Sequence, residues 1–276
     1  FNKGNDSTFN SIDHYINEDG FWDTHSNVPK RNLSNIYLPR KDKEDIVDDL
    51  LKFIKEETVL KYMKRGIKYK RVYLLHGVPG SGKTSLVWAL ASKLNYDISS
   101  FVFDPKTTDV TLKKLIQMLP KKSILLMEDM DCLFKERKSN DEIKNGVTLS
   151  GLFNILDGIS SKHGMIVFIT TNYINSLYDE AFIRPGRIDY YLKFDYIKEE
   201  EVREIYKVFM DETYSEDMCN EFYRAYQKLN VTCSVALLQK YLFKYDNDPE
   251  NAIKNIKEIK DIKRVTTMDS NKNMYM

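Results

Sequence analysis

The sequence has few cysteines, no surplus of charge and no long apolar run, and each absence narrows what it can be. Cys132, Cys219 and Cys233 lie far apart, with no C-x-x-C pair and no histidine at zinc-ligand spacing. That excludes a disulfide framework or a zinc motif and suits three small buried residues in a reducing intracellular compartment. No apolar stretch approaches the ~18 residues of a membrane-spanning helix. The longest uncharged stretch, Gly164 to Tyr178, carries Thr170, Thr171 and Asn172 in its middle. Forty-two Lys and Arg balance forty-one Asp and Glu, a formal charge of +1. No overall field therefore draws the chain to DNA, RNA or an anionic membrane, which leaves room only for a local basic patch. There is no internal repeat. The first residue is Phe1 rather than Met, which is expected of a fragment or a processed product.

What is present is enough to fold. At 276 residues, 42% hydrophobic and 30% charged, the chain can bury a core and stay well solvated, and its length suits one or two domains. Residues 1–40, rich in Asn, Asp, Ser and Gly with anchors at Phe9, Tyr15, Phe21 and Trp22, read as an irregular or small ordered N-terminal extension. Asp42 to Glu57 has helical periodicity. Val72 to His76, Phe101 to Phe103, Ile124 to Met127 and Met165 to Thr170 are short apolar runs expected to be strands. Helix-like stretches separate them at Thr84–Leu94, Leu112–Leu119 and Val147–Ile159. Strands alternating with helices imply an α/β fold with a parallel sheet covered on both faces, here over residues 41–197. From Glu199 the pattern is helical only, with segments at 199–212, 216–229, 234–245 and 249–262; Asp248 and Pro249 suit an N-cap and first turn. Residues 198–264 therefore form a second, all-helical unit, and 265–276 a loose polar tail.

The strongest chemical signal is Gly77-Val78-Pro79-Gly80-Ser81-Gly82-Lys83-Thr84, followed by Ser85. It fits G-x-x-x-x-G-K-[ST], the phosphate loop, and sits between an expected strand and an expected helix. Glycines let backbone N–H groups approach a phosphate chain, and the helix aims its positive end at the same anion. Lys83 would lie on the β- and γ-phosphates, and Thr84 would hold Mg²⁺. A second element, Ser123 to Asp131, is an apolar strand ending in Glu128, Asp129 and Asp131. Acids there reach the carboxyl edge of the sheet, where one can hold Mg²⁺, partly through water, and another can orient the attacking water. A third strand ends at Asn172, a neutral amide suited to the water or the γ-phosphate. Beyond it, Arg184-Pro185-Gly186-Arg187 places two arginines on a turn that should hold them outward, as a cation reaching a neighbouring subunit requires.

These motifs in this order resemble the AAA family of ATPases. Within it the chain is most similar to the subfamily of the mitochondrial Rieske-protein translocase, which assembles respiratory complex III. The resemblance is carried by Lys64 to Arg71, Leu126 to Asp131, Leu149 to Gly158, Ile183 to Asp189 and Asn247 to Pro249, and covers residues 20 to 262. It implies a parallel-sheet AAA core, a helical lid, and an N-terminal remnant of a subfamily-specific domain. It also implies ATP as substrate with Mg²⁺, a homo-oligomeric ring of about six or seven copies, a protein cargo and a place at the matrix side of the mitochondrial inner membrane. Carried onto this sequence, residues 77–85 bind nucleotide, Thr84 and Glu128 serve the metal, Asp129 serves the water, Asn172 senses the γ-phosphate, and Arg184 and Arg187 act in trans.

Two departures stand out. AAA proteins mostly end the acidic strand Asp then Glu, whereas here Glu128 precedes Asp129, a swap shared by the translocase subfamily. Also, Phe101 to Thr108 lacks the glycine of an aromatic–apolar–Gly pore loop, so Phe101 and Phe103 read as strand core rather than as a grip on extended polypeptide. Three further features read as structural: a solvated helix start at Lys198–Glu204, an Ile253, Ile256, Ile259 and Ile262 stripe packing in the lid, and His76 at a strand end. Two other functions fit the same ATPase. One is a nucleic-acid-associated motor, disfavoured by the near-zero charge, and the other is a nucleotide-dependent assembly protein with weak hydrolysis.

Overall fold

The computed structural model describes residues 10–104, 107–130, 147, 149–157, 163–172 and 186–263. In chain order the elements are β1 (Ser11–Glu18), β2 (Phe21–Pro29), a 3-10 turn at Leu33–Asn35, α1 (Arg40–Phe53), α2 (Glu56–Lys64), β3 (Lys70–Gly77) and α3 (Lys83–Leu94). Then come β4 (Asp97–Phe101), α4 (Asp109–Gln117), β5 (Ser123–Met127), α5 (Leu149–Asp157), β6 (Met165–Thr171) and β7 (Tyr190–Phe194). Last are α6 (Glu199–Phe209), α7 (Glu216–Lys228), α8 (Val235–Phe243) and α9 (Pro249–Lys254). The chain divides into an α/β unit of residues 1–36, 42–77 and 83–193 and a helical unit of residues 37–41, 78–82 and 194–276. No helix among the described residues is long and apolar enough to cross a membrane.

The sheet of the α/β unit is mostly parallel and has seven strands in the order β2-β1-β4-β5-β6-β3-β7. β5 and β6 are buried along their whole length, as strands covered on both faces must be. Parallel registers pair Met127 with Ile169 and Leu75 with Thr170, so the carboxyl ends of β3, β5 and β6 lie side by side. Val72, Leu74, Leu125, Met127, Val167 and Ile169 form one core with Leu112, Leu115 and Ile116 of α4 and Leu152 of α5. α5 approaches α4 closely enough that a Cβ on Gly151 would have to displace the Asp109 carboxylate. On another side of β3, Asp49 of α1 accepts from Arg71 Nε at 3.1 Å and from the Tyr73 hydroxyl at 2.8 Å.

Several elements differ from the expectation. Residues 11–29 are an antiparallel hairpin, the ordered rather than the irregular alternative, and β1 pairs in parallel with β4. The hairpin is anchored by Trp22 Nε1, which donates to the Leu115 carbonyl at 2.8 Å, and by Lys114 Nζ 3.9 Å above the Phe21 ring. The strand expected at 101–103 is β4, ending at Phe101, and Phe101 and Phe103 both pack on the core. The helix expected to run to Glu57 ends at Phe53 and restarts as α2.

In the helical unit the side chains of Ser215, Ser234 and Asp248 cap α7, α8 and α9 by accepting from Met218, Leu237 and Asn251 N–H groups. Its core is Tyr206, Phe222, Leu238, Tyr241 and Leu242, with Ile256 and Ile259 buried and Ile253 and Ile262 packed against them. The segment expected as one helix over 249–262 is broken by a turn at 255–257. Glu201, expected on a solvated helix start, is 5% exposed and accepts the Lys198 N–H at 2.8 Å, closing the first turn of α6. Residues 1–9, Cys132 and the tail 265–276 lie outside the described residues.

Candidate active site

The candidate site lies where β3, β5 and β6 end. β3 leads into the phosphate loop, and Gly77, Gly80 and Gly82 all take positive φ (123°, 70° and 96°). At Gly80 the glycine is needed twice: an L residue is strained at that φ, and a Cβ would stand 3.2 Å from Ala236 Cβ. The loop is held by backbone bonds from Val78 N–H to the Phe194 carbonyl at 3.0 Å and from Ala236 N–H to the Gly80 carbonyl at 2.9 Å. Ser81, 3% exposed, donates its hydroxyl to the Val78 carbonyl at 2.6 Å. Pro79 beside it is exposed.

α3 starts at Lys83, so the two reactive side chains of the motif open the helix. Lys83 is 7% exposed, and its ammonium donates to the Gly77 carbonyl at 2.9 Å and to Asn172 Oδ1 at 2.8 Å. One cation thus ties the end of β3 to the end of β6. The Thr84 hydroxyl donates to Glu128 Oε1 at 2.6 Å, tying the helix start to the end of β5. Two hard oxygens this close suit Mg²⁺, which takes one or two protein ligands and fills the rest with phosphate and water. Ser85, next on the helix, accepts from Arg31 Nη1 at 3.2 Å.

Asp129 is oriented differently from its neighbour. Its backbone is left-handed, with φ +48°, a region Asp tolerates better than most residues. Its N–H donates to the Thr170 hydroxyl at 3.1 Å, and the Met130 N–H donates to the Thr170 carbonyl at 3.0 Å. Asn172 Nδ2 reaches Asp129 Oδ1 at 3.5 Å, a long contact. Glu128 and Asp129 are both exposed. Lys83, Thr84, Glu128, Asp129 and Asn172, named from sequence, are therefore brought together.

Thr170 and Arg31 were not anticipated. Thr170 was visible as part of the Thr-Thr-Asn end of β6, but only the fold reveals that it shapes the turn carrying Asp129. Arg31 follows the hairpin and has no local motif to mark it. His76, the last residue in β3's register with β6, has its pKa lowered by burial, with the charges of Lys193 and Lys83 adding to the effect.

The trans arginines are a different matter. Arg184 and Asp131 lie outside the described residues. Arg187 is 8% exposed and so is packed within its own chain, not held outward as the turn suggested. The turn's following residue Asp189 explains part of this: its carboxylate accepts the Val72 N–H at 2.8 Å, pulling the segment onto β3.

Comparison with known proteins agrees with this geometry. Residues 73–196 match the family described as "ATPase family associated with various cellular activities (AAA)", and residues 199–258 match "Mitochondrial chaperone BCS1-like, ATPase lid domain". The "Probable mitochondrial chaperone BCS1-A" of Dictyostelium discoideum is 36% identical over 255 residues, covering 89% of this chain and 59% of that protein. The "Mitochondrial chaperone BCS1" of Danio rerio is 37% identical over 240 residues, and that of Homo sapiens 34% over 241; each alignment covers 84% of this chain and 56% of the relative. The chain thus spans less than three fifths of the length of these relatives. It belongs to the AAA ATPases, as an ATPase domain followed by a lid domain of the BCS1-like type.

Proposed function

We propose that the chain hydrolyses ATP at the phosphate loop and, within a ring of its own copies, couples hydrolysis to the movement or assembly of a protein cargo in mitochondria. The observation that carries this is the pair of ties across three strand ends, Lys83 to Asn172 and Thr84 to Glu128. They bring together a cation, a hydroxyl–carboxylate pair and a neutral amide, the groups that binding a nucleoside triphosphate requires. The cargo and the compartment rest on the likeness to proteins named mitochondrial chaperone BCS1.

In this reading Gly80, Ser81 and Gly82 present backbone N–H groups to the phosphates, Lys83 leaves Asn172 for the γ-phosphate, and Asn172 is freed to hold the water. Thr84 and Glu128 would hold Mg²⁺, which neutralises phosphate charge when bound. Asp129 takes the proton of the attacking water. Arg187 is packed within its own chain, whereas Arg184 stabilises the transition state of a neighbouring copy. Such a cation is worth ~10³-fold or more in rate.

Turnover per subunit measured across the assembly range tests the ring. It should rise steeply with concentration, and a mixture of Asp129→Asn with Arg184→Ala should recover activity that neither has alone. Arg187→Ala is a separate arm, because it also removes packing. A fully active dilute monomer, with flat turnover per subunit, contradicts the trans reading.

A further inference from the structure

We propose that Thr170, buried in β6, is the positioning residue for the acid that takes the proton of the attacking water. This role presupposes that Asp129 is that acid, as proposed above, and accounts for what holds it in place. β5 and β6 pair in register up to Met127 and Ile169. Beyond that pair the ladder stops, and Thr170 takes both N–H groups of the departing chain. Its hydroxyl accepts from the Asp129 N–H at 3.1 Å and its carbonyl from the Met130 N–H at 3.0 Å. Leu75 of β3 is its register partner on the other side. One residue thus joins the end of β3 to the turn that carries Asp129.

The turn needs a hold of this kind. Consecutive side chains on an extended strand point to opposite faces. A straight continuation of β5 would therefore aim residue 129 away from the face on which Glu128 meets Thr84. The chain bends instead through a φ of +48° at Asp129, a conformation disfavoured for an L residue unless its surroundings fix it. Met127 and Met130, both fully buried, fix the two ends of the bend in the core. Asp129 between them is exposed, and the bond to Thr170 removes the freedom its backbone would otherwise have. Asn172, two residues further along, meets the carboxylate at 3.5 Å. Thr170 thus holds the backbone of Asp129, and Asn172 faces its side chain.

The strand alone does not call for a hydroxyl. Thr170 is 2% exposed, and valine suits such a buried strand position with no polar group to satisfy. What the hydroxyl adds is an acceptor aimed at the Asp129 N–H. A general base gains most from such a hold, because a displacement of about 1 Å can cost ~100-fold in rate. Nucleotide binding gains little, since Lys83 and Thr84 reach Gly77, Asn172 and Glu128 without Thr170.

Turnover at saturating ATP, measured on the full chain beside equilibrium binding of an ATP analogue, tests this role. Thr170→Val keeps the shape and removes the acceptor. Its kcat should fall about 10- to 100-fold, with affinity for the analogue and the Mg²⁺ requirement unchanged. Thr170→Ser returns the hydroxyl and should recover turnover to within a few-fold of wild type. Thr170→Ala is the companion should valine disturb folding. A double variant separates positioning from mere structure: added to Asp129→Asn, Thr170→Val should cost nothing further, because the group it positions is already gone. A residue that only supports the fold would lower activity by the same factor in either background. An additive loss therefore overturns the inference, as does wild-type turnover in folded Thr170→Val. Full turnover in Asp129→Asn overturns the assignment of the acid and this inference with it. An inactive Asp129→Asn beside a fully active Thr170→Val overturns this inference alone.

Discussion

The Thr84 hydroxyl donates a 2.6 Å hydrogen bond to Glu128 Oε1, whereas the adjacent Asp129 is turned by a φ of +48° toward Asn172. The two acids end one strand but face different partners, and this separates their work despite the swapped order. Glu128 belongs with the metal ligand Thr84, and Asp129 with the water.

Asp129→Asn should therefore retain ATP while losing turnover by about 10²–10⁴-fold, the usual worth of a general base. Asn is the informative substitution because it too accepts the left-handed backbone. Glu128→Gln should instead raise the Mg²⁺ concentration needed for half-maximal activity. Titrating Mg²⁺ against turnover for both variants checks the assignment, and the opposite pattern reverses the roles.

Asn172→Ala removes an acceptor of Lys83 and the amide facing Asp129. The expected result is a fall in kcat on the order of 100-fold or more, with ATP affinity changed only a few-fold. Separate determination of kcat and nucleotide affinity reads this split.

Gly80→Ala should destabilise the helical unit by about 1–2 kcal/mol from backbone handedness alone, and more from crowding against Ala236 and Ser234. Gly66→Ala is the control. Its φ is +64°, yet no atom lies within 4 Å of the added Cβ, so it should show the backbone cost only. Denaturant titration of both variants compares them.

Two histidines set an acid limit. Burial, then His25, lowers the pKa of His14 below 6.5, and burial, then Lys193 and Lys83, does the same for His76. The unfolded chain takes up these protons as pH falls through 6.5, before the folded chain can. Their contribution is thus complete above that pH and is lost as pH falls from about 6.5 toward the folded values. The thermal midpoint should be flat above pH 7 and decline below it, and His14→Gln should flatten part of the decline.

The sequence made the chemistry legible where residue identity alone fixes it. The Gly-rich loop, the acids after Met127 and the amide after Thr171 each sit at the end of an uninterrupted apolar strand. Legibility failed where burial is polar. β4 reads as a weak strand because Ser99 and Ser100 stand at buried positions; Ser99 is satisfied by the Ser123 hydroxyl at 2.7 Å. The hairpin was hidden by the polar composition of an edge strand, although Asp19-Gly20, with φ values of 47° and 80°, is a turn sequence that favours hairpins. Burial of Arg187 could not be read from a Pro-Gly turn, because it depends on Asp189 finding the backbone of β3 over a hundred residues away.

The central claim is that this loop binds and hydrolyses ATP, and Lys83→Ala tests it most directly. Lys83 is the cation tied to both Gly77 and Asn172, and no neutral side chain replaces an ammonium facing two phosphates. Equilibrium binding of a fluorescent ATP analogue should be strong for the wild type and lost in the variant at matched folding by circular dichroism. ATP turnover should disappear with it. Unchanged affinity and turnover in a folded Lys83→Ala protein would contradict the assignment of the site.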